Sequence, residues 1–366
     1  MGIFDLVSTM GHEQVAYCHD AETGLKAIVA IHDTTLGPAL GGCRFWNYKT
    51  EEEALIDVLR LSRGMTYKAA VAGLPLGGGK AVIMGDPLKL KSETFFRRFG
   101  RFVDSLGGRY ITAEDVNIKV EDINHVAKET KYVSGVTSRE NGSGDPSPVT
   151  AYGVFHGIRA SVKYRLGLDD LTGVRVAVQG TGQVGSYLCG YLHDAGAKLV
   201  VSDINTASVQ RVADKYGAEI VDTNQIHAAD VDVFAPCALG GILNDDTIPQ
   251  IKAEIISGGA NNQLLDEDVH GKMLADAGIL YAPDYVVNAG GLINVCWELK
   301  GYDKAAVLVE AEKIYHTMME VYAEAEKKGI LTHHASDVIA EARIRKAKES
   351  VSALTQNFNN QSWITI

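Results

Sequence analysis

The 366-residue sequence lacks several features that would each have fixed its class. Cysteine is scarce and scattered: Cys18, Cys43, Cys189, Cys237 and Cys296 are odd in number and form no C-x-x-C pair. That excludes a disulfide framework and favours reduced, packed thiols in a cytoplasmic protein. No apolar run approaches the roughly 18 residues a bilayer span needs. The opening MGIFDLVSTMGHEQ has neither a charged nor an apolar leader region, so neither membrane nor export is expected. Basic residues are outnumbered, 35 Lys and Arg against 46 Asp and Glu, and the net charge of −11 argues against a nucleic-acid partner. None of the eleven histidines forms H-E-x-x-H, and His333 and His334 are adjacent rather than spaced as ligands, so no metal site is expected. There is no internal repeat and no low-complexity tract.

What is present is core material. An apolar fraction of 46% with 22% charged residues is that of a folded protein, and the length makes two domains the natural prior. Residues 1–136 mix strand-like runs such as KAIVAIH, KAVIMG and GGRYITA with helical ones, EEEALIDVLRLSRGM and SETFFRRFGRFVDSL. A stretch dense in Gly, Pro, Ser and Asn follows, and residues 137–145 read as a hinge. From 146 to 330 strands and helices alternate regularly: VRVAVQG, QVGSYLCGYLHDAG, KLVVSD, ASVQRVADKYG, VDVFAPC, AEIISGG and GILYAPDYVV. Strands apolar on both faces and separated by helices imply a parallel, doubly wound sheet. After Gly291 the sequence reads as three helical segments ending near Gln356. The fold class is therefore α/β with two domains.

A dinucleotide fingerprint lies in the second domain. G-T-G-Q-V-G, with Gly180, Gly182 and Gly185, directly follows a strand and opens a helix. The first glycine permits the tight turn, the second admits the pyrophosphate to the backbone, and the third allows close packing. Amides at the helix start, from Thr181, Gln183 and Val184 onward, face the phosphates. Asp203 ends the next strand, where a carboxylate accepts from the adenosine ribose and repels a 2′-phosphate, which favours NAD over NADP. The plainer alternative is that the glycines only pack a helix and Asp203 caps the next one.

Chemistry has to come from elsewhere, because a dinucleotide fold specifies none. In GMTYKAAVAGLPLGGGK two lysines, Lys68 and Lys80, stand among small and apolar residues. A Walker loop is excluded, since Leu74 and Ala81 occupy positions that need Gly and Ser or Thr. One lysine could bind a carboxylate while the other, desolvated beside a like charge, gives up its proton near neutrality and serves as general base. Asp115, just past a strand end, would complete the set, and Gly77, Gly78 and Gly79 would let backbone approach the reacting carbon. Read singly, each lysine suits a helix end or strand boundary, and Asp115 a turn.

Together the blocks KAAVAGLPLGGGKAVI, RYITAEDVN, DPSPVTAYGVFHGIRA, VAVQGTGQVG, FAPCALGGILN, GANNQL and YAPDYVVNAGGLINV, in this order, resemble the glutamate, leucine, valine and phenylalanine dehydrogenase family over essentially the whole chain. The resemblance implies reversible oxidative deamination: an L-amino acid, water and NAD give a 2-oxo acid, ammonium and NADH. It makes Lys68 the holder of the α-carboxylate, Lys80 the base that activates water, and Asp115 the proton shuttle for the amino group. It places Thr150, Asn262, Ala238 and Asn288 at the cofactor, with Asn262 also near substrate. It further implies an N-terminal substrate and oligomerisation domain rejoined by C-terminal helices 331–366, a Rossmann-type NAD domain across a cleft, and a homo-oligomer, an octamer.

The resemblance also sets the substrate's side chain against Leu40, Gly41, Ala113, Leu292 and Val295. Leu40, Ala113, Leu292 and Val295 are apolar, and a distal carboxylate left unpaired there would be costly, so glutamate is disfavoured. Leu40 and Leu292 fill space, which favours leucine, with valine and isoleucine accepted. Leu292 stands where leucine-specific members usually carry valine, and the following Cys296-Trp297-Glu298 also departs, which keeps phenylalanine or tryptophan as alternatives. A non-catalytic NAD-binding assembly protein is a further alternative, although such a protein would be expected to lose the lysines or the aspartate.

Overall fold

The computed structural model describes residues 2–137 and 142–361, and side chains up to 350. Four residues of the expected hinge, 138–141, lie outside the described residues. The chain divides into two compact units, one of Met1–Gly144, Val295–Tyr302 and Ile339–Ile366, the other of Asp145–Asn294 and Asp303–Val338. Compactness thus differs in detail from the ranges read in the sequence: 295–302 joins the first unit, and 331–338 stays with the second.

The first unit begins with α1 (Ile3–Thr9), β1 (Gln14–Asp20), β2 (Leu25–Asp33) and β3 (Ala39–Trp46). It continues through α2 (Glu51–Val71), β4 (Gly77–Met84), α3 (Pro87–Leu90), α4 (Glu93–Ser105), β5 (Tyr110–Ala113) and α5 (Val120–Ala127). Its five-stranded sheet runs β1-β2-β4-β3-β5, antiparallel at β1-β2-β4 and parallel at β4-β3-β5. Strand pleat sorts the side chains. On β2, Ala27, Val29 and Ile31 join Phe95, Phe96 and Phe99 of α4 and Ile123 of α5. Ile28 and Ala30 point the other way, onto Ala54, Leu55, Val58 and Leu59 of α2. Thr50 caps α2, its hydroxyl accepting from the Glu53 amide, and three glutamates fill the positive first turn.

In the second unit α6 (Ser147–Leu166) precedes β6 (Arg175–Gln179), α7 (Gln183–Asp194), β7 (Lys198–Ser202), α8 (Thr206–Tyr216), β8 (Glu219–Ile220) and β9 (Val233–Pro236). β10 (Ile255–Ile256), α9 (Glu267–Asp276), β11 (Leu280–Tyr281) and α10 (Asp284–Val287) follow. All pairings in the six-stranded sheet β11-β10-β9-β6-β7-β8 are parallel, as the apolar strands predicted. Val176 and Val178 pack under α6 and α7, while Ala177 between them joins Phe234, Ile256 and Leu274 on the opposite face. Beyond Gly290 the three expected helical segments are in fact four: α11 (Gly290–Glu298), α12 (Lys304–Glu312), α13 (Ile314–Lys328) and α14 (Thr332–Gln361). The extra boundary falls at Lys313, which ends α12 and caps α13.

Candidate active site

In the first unit, Gly78, Lys80 and Val82 alternate onto the face of β4 that α2 covers. A Cβ at Gly78 would run into the Thr66 backbone and hydroxyl of α2, so the helix lies directly on this strand. Gly79 faces the opposite side, where a Cβ would come 2.7 Å from the Tyr110 ring, and one at Gly77 would strike the Asp33 carbonyl. The triple glycine therefore serves packing, since protein atoms occupy the space that side chains at these positions would need.

Lys80 is only 6% exposed, and its Nζ lies 3.0 Å from Asp115 Oδ2. Asp115 follows β5 on a turn tied to β3. Phe45 N donates to the Val116 carbonyl (3.0 Å), and Asn117, at a positive φ of 60°, donates from Nδ2 to the Phe45 carbonyl (3.0 Å). Arg44, next to Phe45, donates from Nε to the same Oδ2 of Asp115 at 3.2 Å. Burial works to raise the Asp115 pKa, but the Lys80 and Arg44 cations outweigh it and hold the carboxyl below its ordinary value. Lys68, half-buried, sits in the last turn of α2, three residues after Met65, whose side chain approaches Gly41. Leu40 and Ala113 are buried on β3 and β5, paired with Ile111 and Gly42 respectively. Gly41 accepts from the Tyr110 hydroxyl through its carbonyl at 2.7 Å. Val295 belongs to this unit too, its carbonyl accepting from Ser134 Oγ at 3.4 Å. Lys68, Lys80, Asp115, Leu40, Gly41, Ala113 and Val295 thus share one compact unit, and the arrangement pairs a buried amine with an ionised carboxylate beside small and apolar side chains.

The second unit collects the other residues singled out in the sequence. Gly180 takes φ +94°, which the turn after β6 requires, and a Cβ there would meet Ala238 at 3.0 Å. A Cβ at Gly185 would strike the Gly180 carbonyl, whereas one at Gly182, the N-cap of α7, would meet nothing within 4 Å. Thr181 is buried, with exposed Gln183 and half-buried Val184 opening α7. The amide and hydroxyl of Thr181 donate to Asp203 Oδ2 at 2.6 and 3.2 Å, and Asn205 N donates to Asp203 Oδ1 at 2.8 Å. Asn205, rather than Asp203, caps α8. The loop, Asp203 and Ala238 follow the carboxyl ends of β6, β7 and β9, where strand order reverses about β6, the place at which such sheets bind ligands. Open space at the second glycine and a carboxylate at the end of β7 fit a dinucleotide. Asn288 is 4% exposed, donating from Nδ2 to Asn261 Oδ1 at 2.7 Å, and Asn262 holds φ +52°. Thr150 donates to the Pro146 carbonyl at 3.0 Å, and its hydroxyl leaves no room for a side chain at Gly291. Leu292 is buried in this unit.

Residue-matched comparison decides the family. A model of the "Glu/Leu/Phe/Val dehydrogenase, dimerisation domain" matches residues 12–132, and one of "Glutamate/Leucine/Phenylalanine/Valine dehydrogenase" matches 142–211 and 203–357. The chain belongs to the glutamate/leucine/phenylalanine/valine dehydrogenase family. Among its relatives in that family, leucine dehydrogenase of Geobacillus stearothermophilus is 54% identical, over 98% of this chain and 97% of the relative. L-tryptophan dehydrogenase of Nostoc punctiforme is 51% identical over 96% of this chain and 99% of the relative. A crystal structure of the Nostoc punctiforme L-tryptophan dehydrogenase superposes with a TM-score of 0.86 at 50% identity, covering 95% of this chain and 100% of that one.

Sequence reasoning did not single out Arg44, whose Nη1 donates to Asp57 Oδ2 at 3.0 Å, an oxygen that also accepts the Tyr48 hydroxyl at 2.6 Å. A lone arginine inside the apolar strand ALGGCRFW was the available signal. The adjacent histidines also have more geometry than their spacing suggested, since ligand atoms of Asp268, His333 and His334 all lie within 4.8 Å of one another. His334 Nε2 is there hydrogen-bonded to Asp268 Oδ1 at 3.1 Å. Among the described residues no helix is long and apolar enough to cross a membrane.

Proposed function

We propose that this dehydrogenase catalyses the NAD-dependent, reversible oxidative deamination of an L-amino acid with a branched aliphatic side chain, leucine foremost and valine and isoleucine besides. The observation that carries the reading is the buried Lys80 paired with Asp115 at 3.0 Å. Lys68 holds the substrate α-carboxylate. Asp115 takes the proton from the substrate's amino group, and Lys80, as general base, draws a proton from the water that attacks the substrate imine. Water supplies the oxygen of the 2-oxo acid, and nitrogen leaves as ammonium. NAD, when bound, accepts the hydride from the α-carbon. Gly180, Thr181, Gly182, Gln183, Val184 and Gly185 would hold its pyrophosphate, Asp203 its adenosine ribose, and Thr150, Ala238, Asn262 and Asn288 the nicotinamide half. Leu40, Gly41, Ala113, Leu292 and Val295 would meet the substrate's side chain, with Asn262 near its polar end. Residues 1–136 and 331–366 serve substrate binding and oligomerisation, 146–330 serve NAD binding, and 137–145 act as hinge. The protein works in the cytoplasm as a homo-oligomer, an octamer, whose mass sedimentation would report.

The test is absorbance at 340 nm with leucine, valine, isoleucine, phenylalanine and tryptophan, each with NAD and with NADP. NADH formation that is fastest with leucine supports the reading. The 51% identity to an L-tryptophan dehydrogenase favours an aromatic substrate as the second reading, and an aromatic optimum would establish it. Lys80→Ala is expected to lose turnover by about 1000-fold while NAD binding persists; near-normal turnover would remove Lys80 from its role.

A further inference from the structure

We propose that Arg44 is a positioning residue for Asp115, held in place from behind by Asp57 and Tyr48, so that one strand-borne guanidinium sets the direction of the carboxylate that handles the substrate proton. The inference rests on the deamination reading above. Three strands and a helix meet at this point: Lys80 comes from β4, Arg44 from β3, Asp115 from the turn after β5, and Asp57 from α2. Both cations take the same carboxylate oxygen, Oδ2, Lys80 Nζ at 3.0 Å and Arg44 Nε at 3.2 Å. Neither of these contacts is to Oδ1.

The far end of the guanidinium is also fixed. Arg44 Nη1 donates to Asp57 Oδ2 at 3.0 Å, and that oxygen accepts the Tyr48 hydroxyl at 2.6 Å. A planar fork bonded at two edges to two carboxylates has no free rotation left, which a lysine in its place could not reproduce. Arg44 can reach both because pleat turns it away from Cys43 and Phe45, which face the aromatic core, and onto the α2 side. Its neighbour Phe45 carries the two hydrogen bonds that anchor the Asp115 turn, so the same strand fixes the carboxylate through backbone and side chain at once.

Several charged and titratable groups act on Asp115 electrostatically. Lys80 approaches from β4, Arg44 and the buried Cys43 thiol from β3, and the buried Tyr110 phenol from β5, with Asp57 of α2 and Tyr48 behind Arg44. Removing Arg44, one of the two cations that contact Asp115 Oδ2, stabilises the protonated form of the coupled Lys80–Asp115 pair, whichever member titrates.

The experiment measures kcat and KM over pH with leucine and NAD for Arg44→Gln, Arg44→Lys and Asp115→Asn in the full-length enzyme. Arg44→Gln is expected to lose about 100-fold in kcat, as a misplaced group does, with the KM for NAD unchanged. The limb on which turnover rises with pH is expected to move to higher pH by about half a unit or more. Arg44→Lys restores the position of that limb but only part of the turnover. Wild-type turnover and an unmoved limb in Arg44→Gln, alongside an inactive Asp115→Asn, would overturn the positioning role alone. A fully active Asp115→Asn would instead overturn the role given to Asp115 in the deamination reading. Should Arg44→Gln fail to fold, Asp57→Asn and Tyr48→Phe free only the far end of the guanidinium. A limb moved the same way by a smaller amount supports the proposal, and an unmoved one rejects it.

Discussion

At the scale of single residues the first unit is governed by where side chains are forbidden. Gly78 presses against the amide and hydroxyl of Thr66, so any Cβ must push α2 off β4. Gly78→Ala is expected to destabilise the protein by about 3 kcal/mol, the upper range for overpacking a tight contact, seen as a lowered thermal midpoint; an unchanged midpoint would show that the helix can yield. Lys80 shares that strand face, so the same variant is expected to lower turnover even where the fold persists. The residue types at this site were legible in the sequence, because two lysines in an apolar, glycine-rich run are anomalous. The reason for the glycines was not, since their partners Asp33, Thr66 and Tyr110 lie elsewhere in the chain. Arg44 escaped for the same cause: its two acidic partners are 13 and 71 residues away, and only strand order brings them together.

Among elements, the second unit was the more readable, because a strand, a tight turn and a helix are contiguous and each glycine of Gly180–Gly185 has a local duty. The mixed order β1-β2-β4-β3-β5 carries no comparable local signal, and neither does the end of α11. There Glu298 reaches across to the segment before α6, accepting from Gly135 N at 3.0 Å, Ser143 N at 3.2 Å and Ser143 Oγ at 2.6 Å. One carboxylate thus ties both flanks of residues 138–141 to a helix terminus. Glu298→Ala removes charge-assisted bonds worth roughly 1.5 to 3 kcal/mol. Amide hydrogen exchange at Gly135 and Ser143 is then expected to quicken by about tenfold or more, and unchanged exchange would assign those amides other protection. In this light Glu298 serves as a tether.

For the whole molecule, buried histidines set the acid limit. His12, His156 and His333 are all buried, and burial first, with neighbouring positive groups second, lowers each pKa from 6.5 to about 4. The folded pKa lies below the unfolded one, so each group's contribution is complete above pH 6.5 and is lost as pH falls toward 4. Each histidine is expected to cost about 1.4 kcal/mol per pH unit inside that window. A melting midpoint followed from pH 7 to 4.5 should therefore fall steeply, and His156→Phe should flatten the curve; a level midpoint in the parent protein would contradict the burial. The unit boundaries have a different consequence. Two of them, after Asn294 and after Val338, fall inside the helices α11 and α14, so the unit that opens the chain is also closed by its last residues. During synthesis the second unit's last strand, ending at Tyr281, is made before α14, so the unit begun first gains its final helix only after the other unit's sheet is complete. Cutting the gene at residue 338 would therefore injure the amino-terminal half of the enzyme, a dependence that a linear map of two successive domains would never show.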